Sequence, residues 1–469
     1  VVPTAEHHDV VVIGGGPGGY AAALYGASAG LDVALVERSK VGGTCLHVGC
    51  IPAKELLETA AVYRTVAGAG RFGITTSAPT VDLAVSQARK QQVVDQLHTG
   101  LSGLLKSRKV TVLDGTGTLH PGRTVRVTGG GSGEVELTAD HVILASGSAP
   151  RTIPGFEVDG RLVMTSDEVL SIERLPATAA VIGGGAIGCE FASMMADLGT
   201  RVTILEAMPK ILPGCDDDVT RLVLRQFAKR GIEVRTGVAV QGHEPHDGGT
   251  VVRFGDGETL DVEAVVVSVG RRPRSETLGL EGTAVQVGER GHVVVDERCR
   301  TGEPGVYAVG DLIATPALAH VGFAEGILAI RDLLGEDPLP IDYDRVPWCI
   351  YCHPEVAFAG LSEAAAREAG HDVVVSKHRY AGNGRALILG EPDGMVKVIA
   401  EKRPDGRAGR LLGVHMVGPW VTEQLGAAYL SVNWEATVDD VAALVQPHPT
   451  LSELFGESVL ALTGRSLHG

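Results

Sequence analysis

The chain has 469 residues, 44% hydrophobic and 21% charged, a globular mix too long for one ordinary core, so two to four domains are expected. Its 41 basic and 57 acidic residues give a formal net charge of -16, which repels phosphate polymers and anionic lipid and makes nucleic acid and membrane surfaces poor partners. The 63 glycines and 4% aromatics suit α/β units with tight turns, and seven cysteines are too few for a secreted disulfide framework, which points to a reducing cytoplasm.

No basic segment followed by an apolar core opens the chain, so no secretion signal is expected. The first predicted element is a strand, glycine turn, helix and strand running from His8 to Glu37. It carries Gly14-x-Gly16-x-x-Gly19, with Glu37 eighteen positions after Gly19. Glycines at that spacing allow a tight turn, close approach of backbone to a pyrophosphate, and close packing of helix on strand. The helix N-terminus then faces the phosphates, and the carboxylate accepts from a ribose hydroxyl.

GGTCLHVGCIPAK comes next, at residues 42 to 54. Cys45 and Cys50 lie close together, and a helix is predicted to start just after Cys50, with Pro52 in its first turn. The positive end of a helix favours a thiolate. Two buried structural cysteines, or half of a metal site, are the alternatives. No second ligand pair is placed to complete a zinc tetrahedron, so no metal is expected. Ala53 to Lys109 has helical periodicity, and Val110 to Val142 reads as a small antiparallel meander with a hairpin tip at 128–133.

Ala177 to Glu206 repeats the first plan, with Gly183-x-Gly185-x-x-Gly188 and Glu206 at the same eighteen-residue offset. Two such units imply two dinucleotides. An acid at this strand end suits an unphosphorylated ribose, so the second unit is expected to take NAD rather than NADP. Arg201 stands before the apolar run of that strand and is not expected to clamp a phosphate. Cys189, within the helix, is expected to be core. Val262 to Val269 and VYAVGD (306–311) read as further strands. From Val346 the pattern becomes α+β, and Cys349-x-x-Cys352 there is read as packing.

Taken together, GGTCLxxGCIPxK, the two fingerprints in this order, GVYAVGD (305–311) and HPTLSE (448–453) resemble the flavoprotein disulfide reductases, the class I pyridine nucleotide-disulfide oxidoreductases. The likeness runs from about Asp9 to Gly469 and is greatest to the dihydrolipoamide dehydrogenase branch. The resemblance implies an α/β fold with two Rossmann-like dinucleotide-binding domains and a C-terminal α+β dimerisation domain. The expected boundaries are 1–150 (FAD-binding, with the redox disulfide), 151–272 (NAD-binding), 273–345 (return to the FAD domain) and 346–469 (interface).

The same resemblance implies that FAD binds the first unit and NAD the second. Cys50 would face the flavin, and Cys45 would exchange with substrate. Lys54 and Glu190 match a lysine–carboxylate pair beside the flavin ring. Gly310 and Asp311 match the residues at its ribityl chain. ILASGSAPR (143–151) and VGRRP (269–273) resemble the crossings between the two domains, which singles out Gly147 and Gly270. His448 and Glu453 match an acid–base pair. The implied reaction oxidises a dihydrolipoyl group and reduces NAD. The enzyme would be a homodimer, with its substrate on the lipoyl-bearing protein of a 2-oxoacid dehydrogenase or glycine-cleavage system.

Three departures stand out: His47 where the family usually has Asn, Ala53 where it has Ser, and Gln446-Pro447 before the histidine. His47 keeps a related NAD(P)H-dependent quinone or small-disulfide reductase in play. A non-catalytic flavoprotein subunit is disfavoured by the retention of Cys45, Cys50, His448 and Glu453. Reductases that rely on a C-terminal cysteine pair are disfavoured by the final run GRSLHG, and NADP-dependent ones by Glu206.

Overall fold

Val10, Val11 and Val12 are branched at Cβ, which suits a pleated strand better than a helix, and all three are fully buried. In the computed structural model, which describes residues 6–130 and 133–468, they lie on the strand Glu6–Ile13. Val33–Glu37 and Gly133–Leu144 flank it in parallel. Thr111–Asp114 extends the sheet beyond Val33–Glu37, and Val306–Ala308 returns to pair beside Gly133–Leu144. Burial on both faces gives residues 10–13, 33–36 and 306–308 their continuous apolar runs.

The predicted meander is smaller than its expected span. Thr111–Asp114 pairs parallel to Val33–Glu37, at the opposite edge of the same seven-stranded sheet from the antiparallel strands. Only Thr116–His120, Thr124–Gly130 and the start of Gly133–Leu144 form antiparallel neighbours. A short alternating strand looks the same to periodicity whichever neighbour it pairs with. Of the predicted hairpin tip, Gly130 pairs with Gly133, while Gly131 and Ser132 lie outside the described residues. The helical stretch likewise divides into Cys50–Ala67 and Leu83–Ser107. Between them Gly68, Gly70, Gly73 and Pro79 withhold the helical propensity a continuous rod would need.

The second fingerprint lies in a five-stranded sheet ordered Glu233–Thr236, Arg201–Glu206, Thr178–Ile182, Ala264–Val267 and Val163–Met164. A three-stranded antiparallel sheet, Val240–His246 to Glu258–Val262, is attached to it. Ser148–Pro150 and Arg271–Pro273, the two chain crossings between the nucleotide-binding units, pair with each other. Residues from Trp348 onward build a separate five-stranded antiparallel sheet. The helices Val421–Asn433 and Glu453–Ala461 contribute Leu425, Val432, Leu454 and Val459 to its core.

Candidate active site

Both fingerprints form the same cradle. Gly14 and Gly183 have φ of 108° and 105°, in the region that favours glycine. A Cβ on Gly19 would overlap the Gly14 carbonyl oxygen, and one on Gly188 would overlap that of Gly183. By contrast, Gly16 and Gly185 face open space at the N-termini of their 12-residue helices, which leaves room for a diphosphate. Glu37 accepts from Gly15 N at 2.7 Å and Ser39 N at 2.9 Å. Glu206 accepts from Gly184 N at 2.6 Å and Met208 N at 2.7 Å. Each acid is thereby held at the end of its strand, beside the glycines. Two dinucleotides fit these cradles.

Gly147, Gly270 and Gly310 have φ of 70°, 101° and 69°; the first two turn the chain where it passes between the units, and Gly310 turns it after the strand Val306–Ala308. Asp311 accepts from Ser148 Oγ at 2.5 Å and lies 3.5 Å from Arg271 Nε. Neither Ser148 nor Arg271 stands out in the sequence, although both lie in the two crossing runs. Glu325 is equally inconspicuous. That fully buried carboxylate accepts from Gly310 N at 2.6 Å, Thr315 Oγ1 at 2.7 Å and Tyr343 OH at 3.0 Å. Burial pushes its pKa up to about 7, against the pull of those donors. An isolated Glu in a helical run carries no sequence signal of such a role.

Cys45 lies in the short helix Gly43–Val48, and Cys50 opens the helix Cys50–Ala67. Gly49 permits the tight turn between them, since a Cβ there would press on the Thr44 carbonyl and Cys45 Cα. Both residues are free thiols, joined by a hydrogen bond. The Cys45 thiol favours a thiolate on Cys50; burial opposes this, Lys54 assists, and the Cys50 pKa falls to about 7. Cys45 moves the other way, raised by the same hydrogen bond and by burial. The inner thiol is therefore the better thiolate of the pair. Tyr20 is pushed up to about 12 by burial and by the two thiols.

Lys54 Nζ donates to both Glu190 carboxylate oxygens, at 2.9 and 3.0 Å, and stands 4.9 Å from the centre of the Tyr351 ring. Tyr351 N also donates to Glu190, at 2.9 Å. Burial works against the lysine's charge, yet Glu190 raises its pKa above the ordinary value. His47 Nε2 and His98 Nδ1 contact the same Val41 carbonyl, at 2.9 and 3.1 Å, with their rings 5.1 Å apart. Burial lowers the His47 pKa.

Far along the chain, His448 Nδ1 meets Glu453 Oε2 at 2.9 Å. The His448 side chain is 71% exposed, whereas that of Glu453 is buried. Among the described residues no hydrogen bond or ion pair joins His448 to Cys45 or Cys50 within the chain. Cys349 and Cys352 point to different carbonyls, those of Thr422 and Pro354. Burial raises both thiols, Cys349 to about 11. Cys189 is fully buried. Among the described residues no group of three or more His, Cys, Asp or Glu could hold a metal, and no helix is long and apolar enough to cross a membrane.

Comparison with known proteins matches residues 8–326 to the pyridine nucleotide-disulphide oxidoreductases and residues 346–459 to the dimerisation domain of that family. A dihydrolipoyl dehydrogenase of Bacillus subtilis is 42% identical over 99% of this chain and 100% of its own length. One from Thermus scotoductus is 41% identical over 98% of each. The crystal structure of LpdA from Mycobacterium tuberculosis superposes with a TM-score of 0.91 at 26% identity, covering 98% of this chain and 100% of that one. RclA of Escherichia coli, an HOCl-induced flavoprotein disulfide reductase solved as a Cu(II) complex, gives 0.87 at 27% identity, covering 97% and 99%.

Proposed function

This chain belongs to the pyridine nucleotide-disulphide oxidoreductase family, and from that premise we propose that Cys45 and Cys50 are the redox pair through which it oxidises protein-bound dihydrolipoamide. The reaction is that of a dihydrolipoyl dehydrogenase: dihydrolipoamide becomes lipoamide and NAD becomes NADH, with FAD as the bound cofactor. FAD supplies a two-electron carrier between the thiols and the nicotinamide. The first cradle, with Gly14, Gly16, Gly19, Glu37, Gly147, Gly310 and Asp311, would hold FAD. The second, with Gly183, Gly185, Gly188, Glu206 and Gly270, would hold NAD.

The chain's own groups then act in order. In the oxidised enzyme Cys45 and Cys50 form a disulfide. A dihydrolipoyl thiolate attacks Cys45 Sγ, and Cys50 leaves as a thiolate, kept charged by Lys54. The second lipoyl thiol attacks the mixed disulfide, forms lipoyl disulfide and releases Cys45. His448 takes the substrate proton, and Glu453 steadies the imidazolium. Glu190 holds Lys54 in place. This reading is supported by geometry: Cys50 opens the helix Cys50–Ala67, five residues after Cys45, and that helix carries Lys54, whose Nζ donates to Glu190 at 2.9 and 3.0 Å.

The chain carries a dimerisation domain. We read the active form as a cytoplasmic homodimer whose His448 serves the disulfide of the partner subunit; the exposed His448 ring, with no tie to its own cysteines, supports this. The lipoyl group would arrive on a 2-oxoacid dehydrogenase or glycine-cleavage protein. The test is subunit complementation between a Cys45→Ser chain and a His448→Ala chain, each nearly inactive alone. After random exchange, about half the dimers are mixed and each has one intact site of two, so roughly a quarter of wild-type activity should return. No recovery despite proven exchange would mean that each chain completes its own site. A second reading, reduction of quinones or small disulfides, draws on His47 and on the likeness to RclA. Comparing NAD reduction by free dihydrolipoamide with NADH-dependent quinone reduction separates the two.

A further inference from the structure

Asn383 touches neither the thiol pair nor the two cradles, yet it is only 4% exposed and fully hydrogen-bonded. Its Oδ1 accepts from Ala386 N at 2.9 Å and caps the helix Gly384–Leu389. Its Nδ2 donates to the Thr450 carbonyl at 2.9 Å and to Glu453 Oε1 at 2.9 Å. The amide can point only one way. Both Nδ2 partners are acceptors and the Oδ1 partner is a donor, so exchanging the two ends would break every bond. Glu453 is thus gripped from both sides, with Oε1 on Asn383 and Oε2 on His448 Nδ1 at 2.9 Å. Thr450 Oγ1 further receives Glu453 N at 3.2 Å, so one cluster orders the backbone and the carboxylate together.

We propose that Asn383 is a positioning residue for the reaction: it aims Glu453 at His448 and, through Thr450, fixes the loop that carries the histidine. The proposal rests on the reading of His448 and Glu453 as the acid–base pair. His448 is exposed on its own subunit, and among the described residues Glu453 is the one hydrogen-bond partner of its ring. Its orientation depends on Glu453, and that carboxylate would be free to rotate without the Asn383 amide. A general base must keep its lone pair on the substrate proton, so rotational freedom lowers the turnover rate more than it weakens substrate binding.

Asn383→Asp is the informative variant because it keeps the size and the helix-capping oxygen while turning the donor to Glu453 into a second carboxylate oxygen. Expected at pH 8, measured well below the melting temperature, is a fall in kcat for dihydrolipoamide of about tenfold or more with KM little changed; the melting temperature itself falls, because two buried carboxylates face each other. The loss should shrink toward pH 6, because two facing carboxylates come to share one proton and the O–H restores a donor. Asn383→Ser, which keeps the cap but withdraws the amide, should lose kcat without that recovery. The proposal is overturned if both variants turn over like wild type, or if every loss follows the melting temperature and is equal at all pH values. His448→Ala distinguishes the layers. If it retains wild-type kcat, the acid–base reading itself falls. If it is inactive while Asn383→Asp is unaffected, only the positioning role falls.

Discussion

The two fingerprint units agree in their cradles and part company just after the second strand. In the first, Gly42 N donates to the Gly15 carbonyl at 2.7 Å; in the second, Leu212 N donates to that of Gly184 at 2.8 Å. Gly115 N and Val238 N close on the carbonyls of Glu37 and Glu206, each at 3.0 Å. Beyond that point the first unit leads into Cys45, Cys50 and the helix Cys50–Ala67. The second leads into Asp216, which caps the helix Asp217–Lys229. One helix start carries a nucleophile. The other carries acids that receive Lys397 Nζ at 2.8 Å (Asp216) and 2.7 Å (Asp218), tying the unit to the C-terminal sheet. Their fingerprint helices diverge too. Pro17–Ser28 packs on Ala319–Leu333 within its own unit, whereas Ala186–Asp197 packs across on Cys50–Ala67 and delivers Glu190 to Lys54. A shared nucleotide cradle therefore serves two different jobs, set by the segment on its C-terminal side.

Filling one cradle at a time separates the two jobs most sharply. Gly19→Val should abolish flavin retention, because its side chain must overlap the Gly14 carbonyl, and all activity goes with the flavin. Gly188→Val should leave a yellow protein that no longer reacts with NADH, since its clash is with Gly183 and Ser268. Flavin absorbance of the purified variants is the measurement, and loss of flavin from both would mean that the units do not act separately. Next in size is Lys397→Met. It leaves the buried Asp216, with Asp218 and Glu363, without their shared cation, and should cost about 3–5 kcal/mol in chemical unfolding. Flavin spectra should be unchanged, because this anchor belongs to the second unit.

A moderate effect is expected where the units meet. Lys54 favours the Cys50 thiolate and Glu190 opposes it. Lys54→Met should therefore move formation of the long-wavelength thiolate-to-flavin absorbance to higher pH, by ~1 unit or more, and Glu190→Gln should move it lower. Shifts of the same sign in a pH titration of the two-electron-reduced enzyme would contradict the arrangement. Cys50→Ser should abolish the band and Cys45→Ser preserve it.

Much of this site is legible in the sequence because its parts are local. Glycine spacing, the acid at a fixed offset, and the Cys45-to-Lys54 run each span less than one supersecondary unit. Lys54–Glu190 and His448–Glu453 are reached only through family likeness: nothing local tells a lysine which carboxylate it will meet 136 residues later, and a lone His five residues before a Glu carries no signal of its own. Glu325, Asn383 and Lys397 escape notice because each looks like an ordinary polar residue until burial removes its water and leaves it named partners. The oversized meander has a similar origin: the strand Thr111–Asp114 is short, and its neighbour in the sheet, Val33–Glu37, is decided by the crossover before it.

The smallest expected effect belongs to His47, in the segment where the units diverge. Burial holds its pKa below the ordinary value, with further lowering from His98 and Lys40 and an opposing pull from the Val41 carbonyl and Glu37. At pH 7.5 the ring is therefore neutral in the folded chain, and neutral in the unfolded chain too, whose imidazole titrates near about 6.5. His47→Asn should then change kcat by no more than about twofold at that pH. On acidification the unfolded chain takes up the proton first, so the folded state loses stability as pH falls below the unfolded pKa toward the depressed folded one. Asn carries no such proton. Melting temperatures measured at pH 7.5 and pH 5 should show the variant gaining on the wild type at the lower pH. If the wild type instead gains at pH 5, protonated His47 is stabilised in the fold, and the ring has a charge partner near the redox pair that its contacts with Val41 and His98 do not reveal.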